Sequence, residues 1–530
     1  MTNKSTEALA VQTAAAAPFV LFPELIEQYA LQRGDAHAFV CGGASLTWAA
    51  LAQRMSAVAA GCMKMGIRKG DKVALLSSSS IEALVTFFGV IKAGACIVPL
   101  ATSATSTALL SMLRNSDAKV LVISHDMREL LGSISAELEQ QFPGRLVAID
   151  FKAPGWIRWD QWLAATRVAL PSSGMPVLEP EDDFNIIYSS GTTGDPKGIL
   201  HRHGMRYRQA ARRSFGLDTG SVMLLSTPLY SNTTLQPLLA TLAAGGLTVL
   251  MPKFNVPEYL KLCERFQVTH TMLVPVQYQR ILDHEDFGGA NLSSFVLKQC
   301  TGAPLDARLK ARIQANWPGN LREVYGMTEG GTTCILDADA WPDKLGTVGK
   351  AAADHDIRII DDAGQVLPAG EAGEIVGRSP YMMAGYYRQP DATEKFYWHD
   401  ETGAVFHRSG DIGRFDADGF LTLMDRKKDI IISGGFNIYA SDLESVVASH
   451  PDVTDVAVIG IPSIHWGETP LALVVVRPGS DMSEEALRQW ANEKVGRTQR
   501  LSALEFRQEL PRSALGKTLK RELRAPYWKQ

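Results

Sequence analysis

The sequence predicts an α/β protein: a large N-terminal domain of helix-covered, mostly parallel sheets carrying a small β-rich subdomain, then a small α+β domain. Three observations carry this. The chain has 530 residues, more than one hydrophobic core organises, so two or more domains are required. From about Lys72, short β-branched runs alternate with longer amphipathic ones, as in KVALLS, IEALVTFFGVIKAG and ACIVPL. Beyond about Ala353 that rhythm gives way to short strands separated by turns.

The alternation recurs through AKVLVIS, DMRELLGSISAELEQQF and RLVAID, and again through SVMLLSTP, LQPLLATLAAGG, LTVLM, VPEYLKLCERF and HTMLV. A βαβ rhythm places helices on both faces of parallel strands. In HDIRIIDDAGQVLPAGEAGEIVGR the segments DDAG and PAGEAG are turn signals, which predicts the β-rich subdomain. After Met424 comes the charged stretch DRKKD, then SDLESVVASH, VTDVAVIGIP, LALVVVRPG and SEEALRQWANEKV, the mixture of an α+β domain of about a hundred residues.

A net charge of -4, from 53 basic and 57 acidic residues dispersed along the chain, provides no polybasic arm and excludes a nucleic-acid protein. Any anionic substrate is then held by a few local groups. Cys41, Cys62, Cys96, Cys263, Cys300 and Cys334 form no CxxC pair, which fits a reduced, cytoplasmic protein. The opening MTNKSTEALAVQTAAAAPF lacks the apolar core of a secretory signal and reads as a loose arm. The most apolar stretch, Ile81 to Leu100, is interrupted by Glu82, Lys92 and two glycines, so no integral membrane segment is expected.

The sharpest local signal is Tyr188-Ser189-Ser190-Gly191-Thr192-Thr193-Gly194-Asp195-Pro196-Lys197-Gly198, following the strand-like FNII. Small residues let backbone N–H groups approach phosphate oxygens, hydroxyls add donors and the lysine adds charge: a polyphosphate cradle. A proline precedes the lysine, so the spacing is not that of a Walker A loop. No GxSxG elbow points to a serine hydrolase.

This loop resembles the signature of the adenylate-forming superfamily of acyl-CoA synthetases, peptide-synthetase adenylation domains and firefly luciferase. The resemblance runs along nearly the whole chain: LKAGACIVPL, TGAPL, YGMTEG, GEIVGRSPYMMAGYYRQPDAT, HRSGDIGRFDADGFL, DRKKDIIISGGFNIYASDLE and PRSALGKTLKREL follow in family order. It implies an acyl-CoA synthetase with residues 1–427 as the AMP-binding domain and 428–530 as a mobile C-terminal domain. Its substrates would be a small-molecule carboxylic acid, ATP and coenzyme A, with Mg²⁺.

The resemblance also implies roles. Adenine lies between Gly302-Ala303-Pro304 and Tyr325, whose ring supplies a stacking face, with Gly326 in the same nucleotide segment. Thr328 bonds the α-phosphate, and Glu329 holds Mg²⁺, a hard cation suited to carboxylate. Asp411 accepts the ribose hydroxyls, and Arg426 adds a contact to ribose or phosphate. Lys517, beside Gly516 in the C-terminal turn, supplies positive charge where a carboxylate attacks the α-phosphate. Lys428 is the pivot of a domain rotation that clears Lys517 away for the second half-reaction. Ser433-Gly434-Gly435-Phe436 borders the pantetheine tunnel.

One stretch departs from the family pattern. Where relatives carry proline, an aromatic and a gating histidine, this chain reads Pro228-Leu229-Tyr230-Ser231-Asn232, so serine stands in the histidine's place. Tyr230, Ser231, Asn232, Thr301 and Met327 are expected around the acid, Asn232 as a partner for a polar group on it. Thr301, where relatives commonly have glycine, is expected to shorten the pocket and favour a compact aromatic or short- to medium-chain acid. Two alternatives stand beside this reading: an adenylating enzyme that loads a carrier protein, and an inactive nucleotide-binding relative.

Overall fold

The computed structural model describes residues 18–132, 134–164, 174–188, 196–212, 215–433, 436–513 and 516–528. Two large sheets dominate the first 350 residues. One has eight strands in the order Gly385–Tyr386, Gly198–Arg202, Asp183–Tyr188, Cys96–Pro99, Lys72–Leu76, Ala118–Ile123, Leu146–Ala148 and Ile157–Arg158. Its strands run parallel except for Gly198–Arg202, which is antiparallel to both neighbours. The other has nine strands, with a parallel centre made by Asn320–Tyr325, Leu297–Cys300, His270–Leu273, Val222–Leu225, Leu247–Leu250 and His37–Cys41.

Helix Ile81–Lys92 carries most of the most apolar stretch. Ser80 caps it by accepting the Ala83 amide, and almost every side chain along it is buried. It belongs to one core with Phe39, Met223 and Leu250 of the nine-stranded sheet and Val73, Ile97 and Phe184 of the eight-stranded one. A helix apolar all round is a buried helix, and no helix among the described residues is long and apolar enough to cross a membrane. The expected single helix in DMRELLGSISAELEQQF is divided: Arg128–Leu131 ends at Gly132, and a second helix spans Ser135–Gln141.

The predicted β-rich subdomain is an antiparallel sheet of Asp356–Ile360, Gly373–Arg378, Val405–Phe415, Tyr397–His399 and Leu421–Arg426. Residues from Ile431 onward form their own sheet, Phe436–Ile438, Ile431–Ser433, Gly467–Val476 and Val453–Ser463, with Ala503–Phe506 alongside. Helices Ala440–Ala448 and Glu484–Asn492 pack on it through Leu443, Val447, Leu487 and Ala491, a core separate from those of the large sheets.

Candidate active site

The site begins at the C-terminal ends of the parallel strands Leu297–Cys300 and Asn320–Tyr325, the usual place for a ligand in such sheets. Their outgoing loops carry Thr301-Gly302-Ala303-Pro304 and Gly326-Met327-Thr328-Glu329. The Thr301 hydroxyl donates to the Val324 carbonyl at 2.8 Å, tying the two loops together. Gly302 has φ +91°, and a Cβ there would stand 3.4 Å from Val274 Cγ1. That conformation favours glycine. Ala303 and Met327 are half-buried, while Pro304 and Gly326 are exposed.

A buried ion pair fixes this frame. Glu323 Oε2 lies 2.6 Å from Lys310 Nζ, both side chains being almost fully enclosed. Oε1 of Glu323 accepts the Leu305 amide at 3.0 Å, which anchors the end of the Gly302-Ala303-Pro304 loop. Burial pushes the Glu323 carboxyl up from its usual range, and Lys310 opposes the shift. Lys310→Met would strand a buried carboxylate. The expected cost is about 3–5 kcal/mol of unfolding free energy, read by urea denaturation at pH 7, with the double variant Lys310→Met, Glu323→Gln recovering part of it.

Asp411 and Arg426 face each other across the Val405–Phe415 and Leu421–Arg426 strands. Asp411 Oδ2 accepts the Tyr325 hydroxyl at 2.9 Å, and Oδ1 stands 3.2 Å from Arg426 Nε. An ionised carboxylate has about four acceptor sites, so two contacts leave capacity for hydroxyls of a ligand. Glu329 Oε1 accepts the Tyr386 hydroxyl at 3.0 Å, and Lys197 Nζ lies over the Tyr386 ring, 4.8 Å from its centre. Glu329 is thus a half-buried carboxylate whose second oxygen takes no hydrogen bond from a described residue. A carboxylate with a free oxygen suits Mg²⁺, which takes one or two carboxylates and phosphate or water oxygens for the rest.

The C-terminal domain delivers Lys517 into this cluster. The turn around it is internally braced: the Ser513 amide donates to the Lys517 carbonyl at 2.8 Å, the Lys517 amide to Ser513 Oγ at 3.1 Å, and Arg512 to the Gly516 carbonyl at 2.8 Å. Gly516 has φ +75°, and a Cβ there would meet Val276 Cγ1 at 2.7 Å, so the turn docks closely beside the Gly302 loop. The Lys517 pKa is lowered, first by desolvation and then by the like charge of Arg426, with Asp411 and Glu329 opposing and Lys428 adding to the depression.

Lys428 lies in the single 3-10 turn Lys427–Asp429 between the two domains' sheets. Ser433 pairs with Phe436 and Gly467 on the C-terminal sheet, and Phe436 is 59% exposed. Ser189, Ser190, Gly191, Thr192, Thr193 and Gly194, together with Gly434 and Gly435, lie outside the described residues.

Around the expected acid pocket the geometry refines the reading. Ser231 is the N-cap of helix Asn232–Ala244, its hydroxyl accepting the Thr233 amide at 3.2 Å. Tyr230 approaches Ser103, hydroxyl to hydroxyl, at 3.4 Å. Asn232 Oδ1 accepts from Arg206 at 2.7 Å, and Arg206 also contacts His201, whose Nε2 lies 2.9 Å from the Thr328 carbonyl. Sequence reasoning passed over His201, Arg206, Tyr386 and the Lys310–Glu323 pair. Tyr386 stands inside the GYYRQPDAT motif, the one signal available for it.

With this geometry established, residues 26–387 match the family described as AMP-binding enzyme, and residues 442–517 match the AMP-binding enzyme C-terminal domain. The chain is 33% identical over 491 residues to a feruloyl-CoA synthase of Amycolatopsis sp, covering 92% of this chain and 95% of that protein. It is 31% identical to the long-chain-fatty-acid–CoA ligase FadD13 of Mycobacterium tuberculosis, covering 87% and 89%. The solved structure of the anthranilate CoA ligase AuaEII with anthranoyl-AMP superposes with a TM-score of 0.85 at 25% identity, covering 97% of this chain and 98% of that one. The chain belongs to the AMP-binding enzyme family, the adenylate-forming enzymes. Within it, the protein is an AMP-forming acid–thiol ligase of the acyl-CoA synthetase class, with a carboxylic acid, ATP and coenzyme A as substrates and Mg²⁺ as the usual ion.

Proposed function

We propose that the enzyme activates a compact carboxylic acid, aromatic or short- to medium-chain, in two half-reactions at one site. The observation that carries the reading is the docking of the Gly516-Lys517 turn against Val276, beside the Gly302 loop. In the first half-reaction the acid's carboxylate attacks the α-phosphorus of ATP, and pyrophosphate leaves. Two anions approach each other there, so a fixed cation at Lys517 lowers the barrier most. Thr328 and Lys197 hold phosphate oxygens, Asp411 and Arg426 hold the ribose end, and the base lies between Gly302-Ala303-Pro304 and Tyr325-Gly326. Glu329 would hold Mg²⁺, which spreads phosphate charge when bound.

In the second half-reaction the thiol of coenzyme A attacks the acyl carbonyl and AMP leaves. On this reading Lys517 obstructs the entry of that thiol, and residues 428–530 turn about Lys428 against residues 1–427 to bring Ser433 and Phe436 toward the pantetheine. Six free, buried thiols support a reduced, cytoplasmic setting.

Thr301, Tyr230, Ser231, Asn232 and Met327 surround the acid in this reading. A β-branched residue whose hydroxyl is committed to the Val324 carbonyl cannot swing away to deepen the pocket. The feruloyl and anthranoyl relatives favour compact aromatic acids, while the fatty-acid ligase relative sets the opposing expectation. The test measures pyrophosphate release with cinnamate, benzoate, octanoate and palmitate, with and without coenzyme A, for wild type and Thr301→Gly. Wild type is expected to discriminate against palmitate, and glycine to relax the discrimination. Palmitate as the preferred wild-type substrate overturns the compact-acid reading and leaves the ligase reading intact.

A further inference from the structure

Arg206 is a fully buried cation. It projects from helix His203–Ala211 and is 0% exposed. Its Nε donates to Asn185 Oδ1 at 3.0 Å; one terminal nitrogen donates to Gln209 Oε1 at 3.0 Å and Asn232 Oδ1 at 2.7 Å, and the other lies 3.0 Å from His201 Nδ1. Among the described residues no carboxylate pairs with it. Four neutral acceptors surround a buried cation.

A guanidinium has five N–H donors and no acceptor. Each group around it must therefore turn an acceptor inward, which settles orientations that are otherwise free to flip. His201 must offer its Nδ1 lone pair, so its proton sits on Nε2 and is donated to the Thr328 carbonyl. Burial and the charge of Arg206 keep His201 neutral. Asn185 must offer Oδ1, and the cost is visible: its Nδ2 is buried with no hydrogen-bond partner among the described residues. Asn232 must also offer Oδ1, which turns its NH₂ away from Arg206.

Asn232 is half-buried, and no described residue accepts from its Nδ2. It opens the helix Asn232–Ala244, next to Thr233, whose hydroxyl oxygen lies 3.9 Å from where a Cβ on Gly302 would stand. Through Arg206 and His201 it is joined to Thr328, next to Glu329. The acceptor of this amide is thus taken by Arg206, and its donors are what remain for a ligand.

We infer that Arg206 is a specificity-positioning residue: by locking Asn232 as a donor, it selects an acid that carries an oxygen acceptor away from the reacting carboxyl. A carbonyl, carboxylate, ether or phenolic oxygen meets that requirement. An acid that is purely hydrocarbon beyond its carboxyl leaves the Asn232 NH₂ unpaired when water is displaced, and sites built to hydrogen-bond their substrate reject analogues that lack the group. The inference rests on the ligase reading of the same site.

The test compares catalytic efficiency in matched pairs on two scaffolds: 4-methoxycinnamate against 4-ethylcinnamate, and 6-oxooctanoate against octanoate. Wild type is expected to favour the acceptor-bearing member of at least one pair by about 10-fold or more. Asn232→Leu is expected to erase that ratio through the KM for the acid while the KM for ATP stays unchanged. Arg206→Met, which frees the amide to flip, is expected to shrink the ratio, whereas Arg206→Lys keeps a cation and part of it. Equal efficiencies within both pairs, or an undiminished ratio in Asn232→Leu, overturn the inference. If Arg206→Met does not fold, the Asn232→Leu ratio decides alone. Absence of pyrophosphate release with all four acids would instead strike the acid class proposed above.

Discussion

Lys517→Ala is expected to lower acyl-adenylate formation by roughly 10²-fold or more, the scale of removing one preorganised charge donor. Thioester formation from supplied acyl-adenylate is expected to stay near the wild-type rate. The asymmetry follows from the chemistry: charge builds on the phosphate oxygens only in the first half-reaction, and Lys517 stands among Arg426, Asp411 and Glu329 in the state described here. Its lowered pKa adds a second signature. The ammonium loses its proton at a lower pH than a free lysine, so adenylation should fall on the alkaline side earlier than an ordinary lysine would dictate. Lys517→Arg, which stays charged, should move that limb upward even where its rate is lower. ATP–pyrophosphate exchange across pH reads both effects; equal damage to the two half-reactions would refute the division of labour.

Much of this site could be read in the sequence because its parts are local. The Gly302-Ala303-Pro304 and Tyr325-to-Glu329 loops are short stretches whose glycines and polar residues announce close approach to a ligand. The βαβ rhythm places both at the ends of parallel strands. What stayed hidden depends on burial, which a one-dimensional pattern does not carry. Arg206 lies in HRHGMRYRQAARR, a run that reads as a solvated basic face, and it is buried only because helix His203–Ala211 packs against the strand holding Asn185. Lys310 and Glu323 come from a helix and a strand thirteen positions apart, and nothing in either neighbourhood marks them as partners. Within DMRELLGSISAELEQQF the amphipathic pattern continues across Gly132, whereas the structure has two helices, Arg128–Leu131 and Ser135–Gln141.

Lys428→Pro is expected to leave adenylate formation within a few-fold of wild type while coenzyme A-dependent turnover falls about 10²-fold or more, the scale of holding reacting groups out of alignment. The segment Lys427–Asp429 is a single 3-10 turn, and that geometry has φ near the value proline imposes. The state with Lys517 at the cleft therefore meets the φ that proline requires at Lys428. A rotation that carries Lys517 out must change backbone dihedrals here, and fixing φ resists it. The C-terminal helix Lys520–Arg524 rides on the same segment: Arg524 lies 2.9 Å from Asp429 Oδ1 and donates at 3.4 Å to the Lys428 carbonyl, so a change at Lys428 is passed directly to the domain behind it. Proline also disfavours the helical region at Lys427, which makes the melting temperature a necessary companion measurement and Lys428→Ala the control that keeps rotation free. A Lys428→Pro enzyme that consumes coenzyme A at the wild-type rate places the pivot elsewhere.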